Sequence, residues 1–258
     1  MVAIISASGT ALPTFLMFPR MNFKNHMLHN APPRYGGAAT ASGWMNSELF
    51  LPVLQHSVKH QRPTEEHPRL MIPDNHESHT SITAISYAKE NGIILLTLPP
   101  HTSHKLQPLD VVVFASFKKL YNTACCDLMA DTGRSSIIYD VAGLVGRAFP
   151  LVFTSQNICS GFRACGIELL NRDIFRPEDY LPTYLINQPL QTSQDECKRT
   201  EQISPEDIWP HPKAPLARRK KKKNKKSKSI ILTNTSVKII LEDEATLTKE
   251  RKMKYLIG

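Results

Sequence analysis

The feature that most constrains the fold of this chain is an alternation between residues 70 and 130. Leu70-Met71-Ile72-Pro73 is a short apolar run that ends at Asp74. Ser81 to Glu90 has helical patterning and is stopped by Asn91-Gly92, the pair that supplies a left-handed residue at a helix end. Ile93 to Leu98 is a second apolar run, closed by Pro99-Pro100, and from Leu109 to about Met129 the pattern is helical again. Short apolar runs bounded by turn residues read as buried strands. Strand, helix, strand, helix in that order predicts a parallel α/β unit. Pro73 withholds one ladder donor, which is awkward in a central strand.

Two acids occupy the places in such a unit where ligands gather. Asp74 follows the first strand in Asp74-Asn75-His76-Glu77-Ser78-His79, and Asp110 opens a helix in Gln107-Pro108-Leu109-Asp110. In open α/β sheets, ligands collect beyond the carboxyl ends of the strands. A carboxylate in the first turn of a helix is also favoured by the helix dipole. Each acid alone reads as an ordinary turn former or helix cap. Their joint context, DNHESH after one strand and PPHTSHKLQPLD after the next, sets them apart.

Around this unit the chain divides by composition. Apolar runs at residues 2–7 and 12–18, joined by Ser8-Gly9-Thr10, predict a β-hairpin, and the polar stretch from Pro19 to Ser42 predicts a loop. A helix is expected from Ser42-Gly43, with Trp44, Leu49, Phe50, Val53 and Leu54 on its core side and Pro52 imposing a kink or a late start. Further helices are expected over Ile137 to Phe149 and Phe162 to Leu170, with Cys159 and Cys165 packed in the core. The resulting domain organisation is a core at 1–181, a polar linker at 182–216, and a disordered basic tail at 217–258 in which residues 236–256 form a short helix or nothing. The tail holds 14 Lys+Arg against 4 Asp+Glu, a net of +10, whereas residues 1–216 hold 18 against 19, a net of −1. Any electrostatic grip of the core on nucleic acid therefore comes from local patches. The five cysteines are odd in number and form no CxxC pair, which fits a reducing compartment. No apolar stretch is long enough to predict a membrane span, and no secretory signal is expected.

The motifs together resemble the DDE endonuclease domain of pogo-like elements, the class that includes the Tigger and jerky transposase-derived proteins and centromere protein B. The matching residues are Asp74-Asn75-His76 with Ser78-His79, the run Leu95 to Asp110 (LLTLPPHTSHKLQPLD), Val113-Phe114 and Phe117-Lys118. Upstream, Ile5-Ser6-Ala7, Gly9 to Pro13, Ser42-Gly43-Trp44-Met45 and Phe50 match as well, so the resemblance covers roughly residues 2–180. It implies an RNase H-like fold, a mixed sheet flanked by helices. It also implies three acids that hold two Mg²⁺ or Mn²⁺ ions against a DNA phosphodiester, hard cations that take oxygen ligands. Asp74 and Asp110, with 35 residues between them, match the second and third of those acids and are the expected catalytic and metal-binding residues. Asn75, His76, His79 and His104 are expected to hydrogen-bond the acids or contact DNA, with Asn75 alternatively capping the next helix. Lys105 and Lys118 are expected near the DNA backbone, Lys118 and Lys119 alternatively being a solvated helix face.

The first acid of that pattern sits on a central strand before the hairpin, and residues 1–47 contain no Asp or Glu. Glu48 is the first acid of the chain and lies on the opening helix. The expectation is an RNase H-like sheet without its central first strand, leaving two strand edges open or re-paired, and a domain that binds DNA without cutting it. Two alternatives stand beside it: an active metal-dependent endonuclease or transposase whose full chain is longer, and a nuclear interaction or scaffold protein. The histidine pairs His76/His79 and His101/His104 have no cysteine within reach, which disfavours zinc. The basic cluster Arg218, Arg219, Lys220, Lys221, Lys222, Lys223, Lys225 and Lys226 predicts recognition by the nuclear import machinery and location in the nucleus.

Overall fold

A computed structural model of the chain describes residues 1–180 and 229–257. Residues 1–174 and 227–258 group into one unit and residues 175–226 into a second, of which the described part is a single 3-10 turn, Pro177–Tyr180. The 182–216 linker and the basic run Arg218 to Lys226 lie outside the described residues.

The first unit is mixed α/β: helices pack around two short parallel sheets. The chain enters as the expected hairpin, with antiparallel bonds joining Val2 to Phe15, Ile4 to Leu12 and Ser6 to Thr10. Gly9 turns it at φ +83°, and a Cβ there would run into the Ser155 hydroxyl. Strand β1 (Phe15–Pro19) then pairs in parallel with β2 (Gly36–Thr40). The polar stretch Pro19 to Ser42, expected as a loop, therefore contains a strand. Its Gly36-Gly37-Ala38-Ala39 sequence lacks strand-forming residues, and small side chains suit it because Phe15 and Phe23 press against Gly36 and Gly37.

Helix α1 (Ser47–Gln61) starts later than Ser42, at the Asn46 side chain, which accepts from the Leu49 amide at 2.8 Å. Pro52 is accommodated as the sixth residue of the helix, so the start is set by the Asn46 cap and not by the proline. Leu49, Phe50, Val53 and Leu54 are buried as expected, whereas Trp44, expected in the core, lies outside the helix and is 77% exposed. Strand β3 (Arg69–Met71), helix α2 (Ile82–Glu90) and strand β4 (Ile93–Leu95) form the predicted parallel unit, with Arg69 opposite Ile93 and Met71 opposite Leu95. The pairing runs on past β4: Leu96 donates to the Met71 carbonyl and Leu98 to that of Pro73. Pro73 thus lacks a donor but keeps its acceptor role. β3 pairs with β4 alone among the described residues, and Leu70 on it is 58% exposed. Gly92 adopts φ +67° where the helix ends, as Asn91-Gly92 predicts.

A short helix α3 (Ser103–Leu106) leads to a widened, π-type turn over Leu109–Val113, which continues as α4 (Phe114–Thr132). Helix α5 spans Val141–Val152 rather than starting at Ile137, and α6 spans Ser155–Ala164. The helix expected over Phe162 to Leu170 is mostly turns, because α6 has already ended and Gly166 takes φ +69°. Cys165 is buried and Cys159 half-buried. Before α5, Asp140 accepts from both Arg134 guanidinium nitrogens (2.6 and 3.0 Å) and from the Ile137 amide (2.9 Å). These bonds, the Arg134 pair first, hold its carboxyl down at about 2 from an ordinary 3.8. A depressed carboxyl stabilises the fold above its unfolded pKa and loses that contribution as pH falls toward the folded one. Asp140→Asn is therefore expected to lower the melting temperature at neutral pH, and the gap to wild type should narrow as pH drops from 3.8 toward about 2. A gap that stays constant across that window would contradict the assignment.

Two cores hold the unit together. One gathers Leu16, Phe18, Leu109, Val113, Phe117 and Ile158 between β1 and helices α4 to α6. The other gathers Phe50, Leu54, Ala84, Ile85, Leu95 and Leu232 among α1, α2 and β4. Leu232 comes from the region expected to be a disordered tail. Residues 230–232 run antiparallel to the free edge of β4: Thr97 donates to the Ile230 carbonyl at 3.0 Å and Leu232 to that of Leu95 at 2.9 Å. Helix α7 (Thr235–Ile257) follows, with Val237 and Leu241 packed on the second core. Residues 230–232 of the tail are thus paired with the sheet.

Candidate active site

The two acids come from different halves of the unit. Asp74 lies three residues past β3, where the chain leaves the β3–β4 sheet. Its Oδ1 accepts from His79 Nε2 at 2.7 Å and from the His76 amide at 3.3 Å. Oδ2 makes no hydrogen bond among the described residues, so the carboxylate is held by one oxygen and offers the other. The His79 bond, above all, holds the Asp74 carboxyl below its ordinary value against the opposing effect of partial burial. His79 is itself fixed by burial and by the Phe50 ring of α1, whose centroid is 4.3 Å away. Its Nδ1 is enclosed without a partner.

Asp110 sits in the π-type turn that opens into α4. Its neighbours Leu109 and Val113 are anchored in the first core, and Pro108 packs so closely on α6 that a Cβ on Gly161 would lie 3.0 Å from the Pro108 carbonyl. Widened turns within helices concentrate at functional sites, and this one lifts an exposed carboxylate off a firmly packed base. Burial raises the Asp110 carboxyl from its ordinary value, the negative charge of Asp74 raises it further, and Lys118 offsets part of this. The structure therefore brings together the two acids that the sequence singled out, and places Lys118 within electrostatic reach.

The other expected residues are sorted by the same geometry. His76 contributes its backbone amide to Asp74, while its ring accepts from the Ser78 amide at 3.3 Å and bonds the Ser78 hydroxyl at 2.8 Å, so His76 is the cap that Asn75 might have been. Asn75 is exposed. His104 and Lys105 are exposed on α3, and His104 makes no hydrogen bond to either acid among the described residues. Glu48 is exposed on the first turn of α1. Sequence reasoning missed the π-type turn and the β4-edge strand. The turn has no composition signal, whereas Ile230-Ile231-Leu232 between Ser229 and Thr233-Asn234 is a legible strand signature.

The oxygens of Asp74 and Asp110 are donors of the kind a hard divalent cation takes. Asp74 keeps one oxygen unengaged, and the Asp110 carboxyl is raised by burial first and by the charge of Asp74 second. No group of three or more His, Cys, Asp or Glu with metal-binding geometry occurs among the described residues. A hollow of about 330 Å³ lined by Asn30, Pro32, Asp140 and Arg147 involves none of these residues.

Comparison with known proteins bears on the family of the chain. A protein from Cochliobolus lunatus named MFS-type transporter clz9 is 34% identical over 172 residues, which is 66% of this chain and 19% of that protein. The chain thus spans about a fifth of that relative's length. No solved structure matches the chain. The family model described as DDE superfamily endonuclease matches residues 2–152, a stretch that takes in β1 to α5 with both Asp74 and Asp110, and the chain belongs to that family.

Proposed function

We propose that this chain is a transposase-derived, RNase H-like domain of the pogo class that binds DNA, holds a single divalent ion between Asp74 and Asp110, and by itself does not cut DNA. The observation that carries the reading is the acid pair: Asp74 past the end of β3 and Asp110 in the turn that opens α4 lie within electrostatic reach of each other, and residues 1–47 hold no Asp or Glu. A bound Mg²⁺ or Mn²⁺ would supply Lewis acidity toward a phosphodiester oxygen. His79 fixes which oxygen of Asp74 faces outward, and Phe50 keeps His79 from rotating. Lys118, beside Asp110, suits a backbone phosphate. The basic run Arg218 to Lys226 suits the nuclear import machinery and places the protein in the nucleus under this reading. No described helix is long and apolar enough to cross a membrane, so the transporter name of the relative receives no support from this part of the chain.

Nicking of supercoiled plasmid in Mg²⁺ or Mn²⁺ tests the proposal. The expected result is DNA binding with no nicking above the blank. Robust nicking that Asp74→Ala abolishes would sink the non-cutting assignment. It would favour the second reading, an active endonuclease whose full chain is longer. Reading the genomic frame upstream of Met1 discriminates the two directly, because a strand ending in Asp-Glu there would supply a third carboxylate.

A further inference from the structure

Trp44 is the large side chain most out of keeping with its surroundings. It stands 77% exposed on the turn between β2 and α1, and Met21 beside the end of β1 is 80% exposed. The turn is built rather than loose. The Gly43 amide donates to the Thr40 carbonyl and hydroxyl at 3.1 and 3.0 Å, the Thr40 hydroxyl donates to the Trp44 carbonyl at 3.3 Å, and the Trp44 amide donates to the Ser42 hydroxyl at 3.3 Å. Gly43 has φ +72°, and a Cβ on it would lie 3.0 Å from the Pro19 side chain, so the turn is pressed onto the end of β1. At that contact point the Arg20 guanidinium folds back to donate to the Pro19 carbonyl at 2.9 Å. An exposed indole and an arginine without a carboxylate partner among the described residues thus flank the same proline. In sequence, residues 1–47 carry Arg20, Lys24 and Arg34 and no acid, and the first acid is Glu48 on the opening turn of α1.

We propose that Trp44 and Arg20 form a nucleotide-stacking element, the indole taking the face of an unpaired DNA base and the guanidinium taking its phosphate. This rests on the DNA-binding reading above and adds where, and in what form, the strand is held. An exposed, rigidly presented aromatic beside a positive charge is what single-stranded nucleic acid recognises, because every base offers a π-face and every nucleotide a phosphate. The position suits the acid pair. Two residues of loop, Met45 and Asn46, and the first turn of α1 separate Trp44 from Phe50, at most about 16 Å between Cα atoms. Phe50 packs on His79, which bonds Asp74. Trp44 is thereby linked to Asp74 through the start of α1, Phe50 and His79.

The full chain carrying Trp209→Phe makes Trp44 the only tryptophan, since the sequence has two. The probes are a thymidine oligonucleotide of about twelve residues and a duplex of the same length, titrated at low salt and at roughly 0.3 M, where lysine–phosphate attraction has largely gone. The expected result is quenching of Trp44 by the single strand at both salt concentrations. Trp44→Ala weakens single-strand binding about tenfold, leaves the duplex affinity unchanged, and is rescued by Trp44→Phe. Arg20→Ala lowers the salt slope by about one. Single-strand binding by a folded Trp44→Ala protein at wild-type strength overturns the stacking proposal and leaves DNA binding intact. Should Trp44→Ala fold poorly, the quenching decides, and its absence overturns the proposal. A Trp44-dependent dimer in sedimentation, without quenching, overturns it in favour of contact between copies. Binding of neither probe by the full chain overturns both this proposal and the function above.

Discussion

Leu232→Asp is expected to abolish cooperative unfolding of the domain, leaving a chain without a thermal transition in circular dichroism. Leu232 is 4% exposed and belongs to the core formed by Leu54, Ile85 and Leu95, and its amide donates to the Leu95 carbonyl. An unpaired carboxylate at such a place costs several kcal/mol. A domain has only about 5–15 kcal/mol of stability in total. The cost falls on the helices and the sheet together, because α1, α2 and β4 share that core. Leu232→Ala is the graded version, expected to cost about 2–5 kcal/mol with a normal but earlier transition. A wild-type melt for the aspartate variant would mean that residues 230–232 do not occupy the β4 edge in solution.

A second large effect is expected from divalent metal, with opposite signs in the two acid variants before metal is added. Without metal, Asp110→Asn should raise the melting temperature, because the folded state raises the Asp110 carboxyl and so penalises its ionised form at neutral pH. Asp74→Asn should lower it, because the His79 bond favours the ionised form of that group, a contribution present above the ordinary 3.8 and lost as pH falls below it. Mn²⁺ at about a hundred times its dissociation constant stabilises by about 2.7 kcal/mol, a rise of about 5–10 °C for a domain of this size. Neither variant should show that rise. Equal stabilisation of wild type and Asp74→Asn by Mn²⁺ would place the ion elsewhere.

Much of this site was legible in the sequence because it depends on local chemistry. Asp74 and Asp110 follow from strand ends and their flanking motifs, and Gly92 from the need for a left-handed residue after α2. The His79–Asp74 bond spans only five residues and follows from the motif DNHESH. Failures came where long-range packing overrode local preference. β2 is written in glycine and alanine, so no propensity announces it, and it exists because β1 and two phenylalanines leave a narrow slot. Trp44 reads as core from hydrophobicity alone, yet the capped start of α1 at Asn46 leaves it outside. The β4-edge strand was obscured by the lysine run before it, whose charge draws the eye toward a solvated tail.

That edge strand also sets a timetable for the nascent chain. Thr97 and Ile230 are 133 residues apart, so the partner of β4 is made long after β4 itself. Loop-closure entropy grows only with the logarithm of length, so the separation costs little once the chain is finished. During synthesis it matters more: at about 5–20 residues per second, β4 waits roughly 7–27 seconds for its neighbour. For that interval the Leu95 side of the second core and a row of unpaired backbone groups face solvent, an open template for other strands. A ribosome-associated chaperone engaged after β4 emerges and released after Leu232 would match the length of that wait.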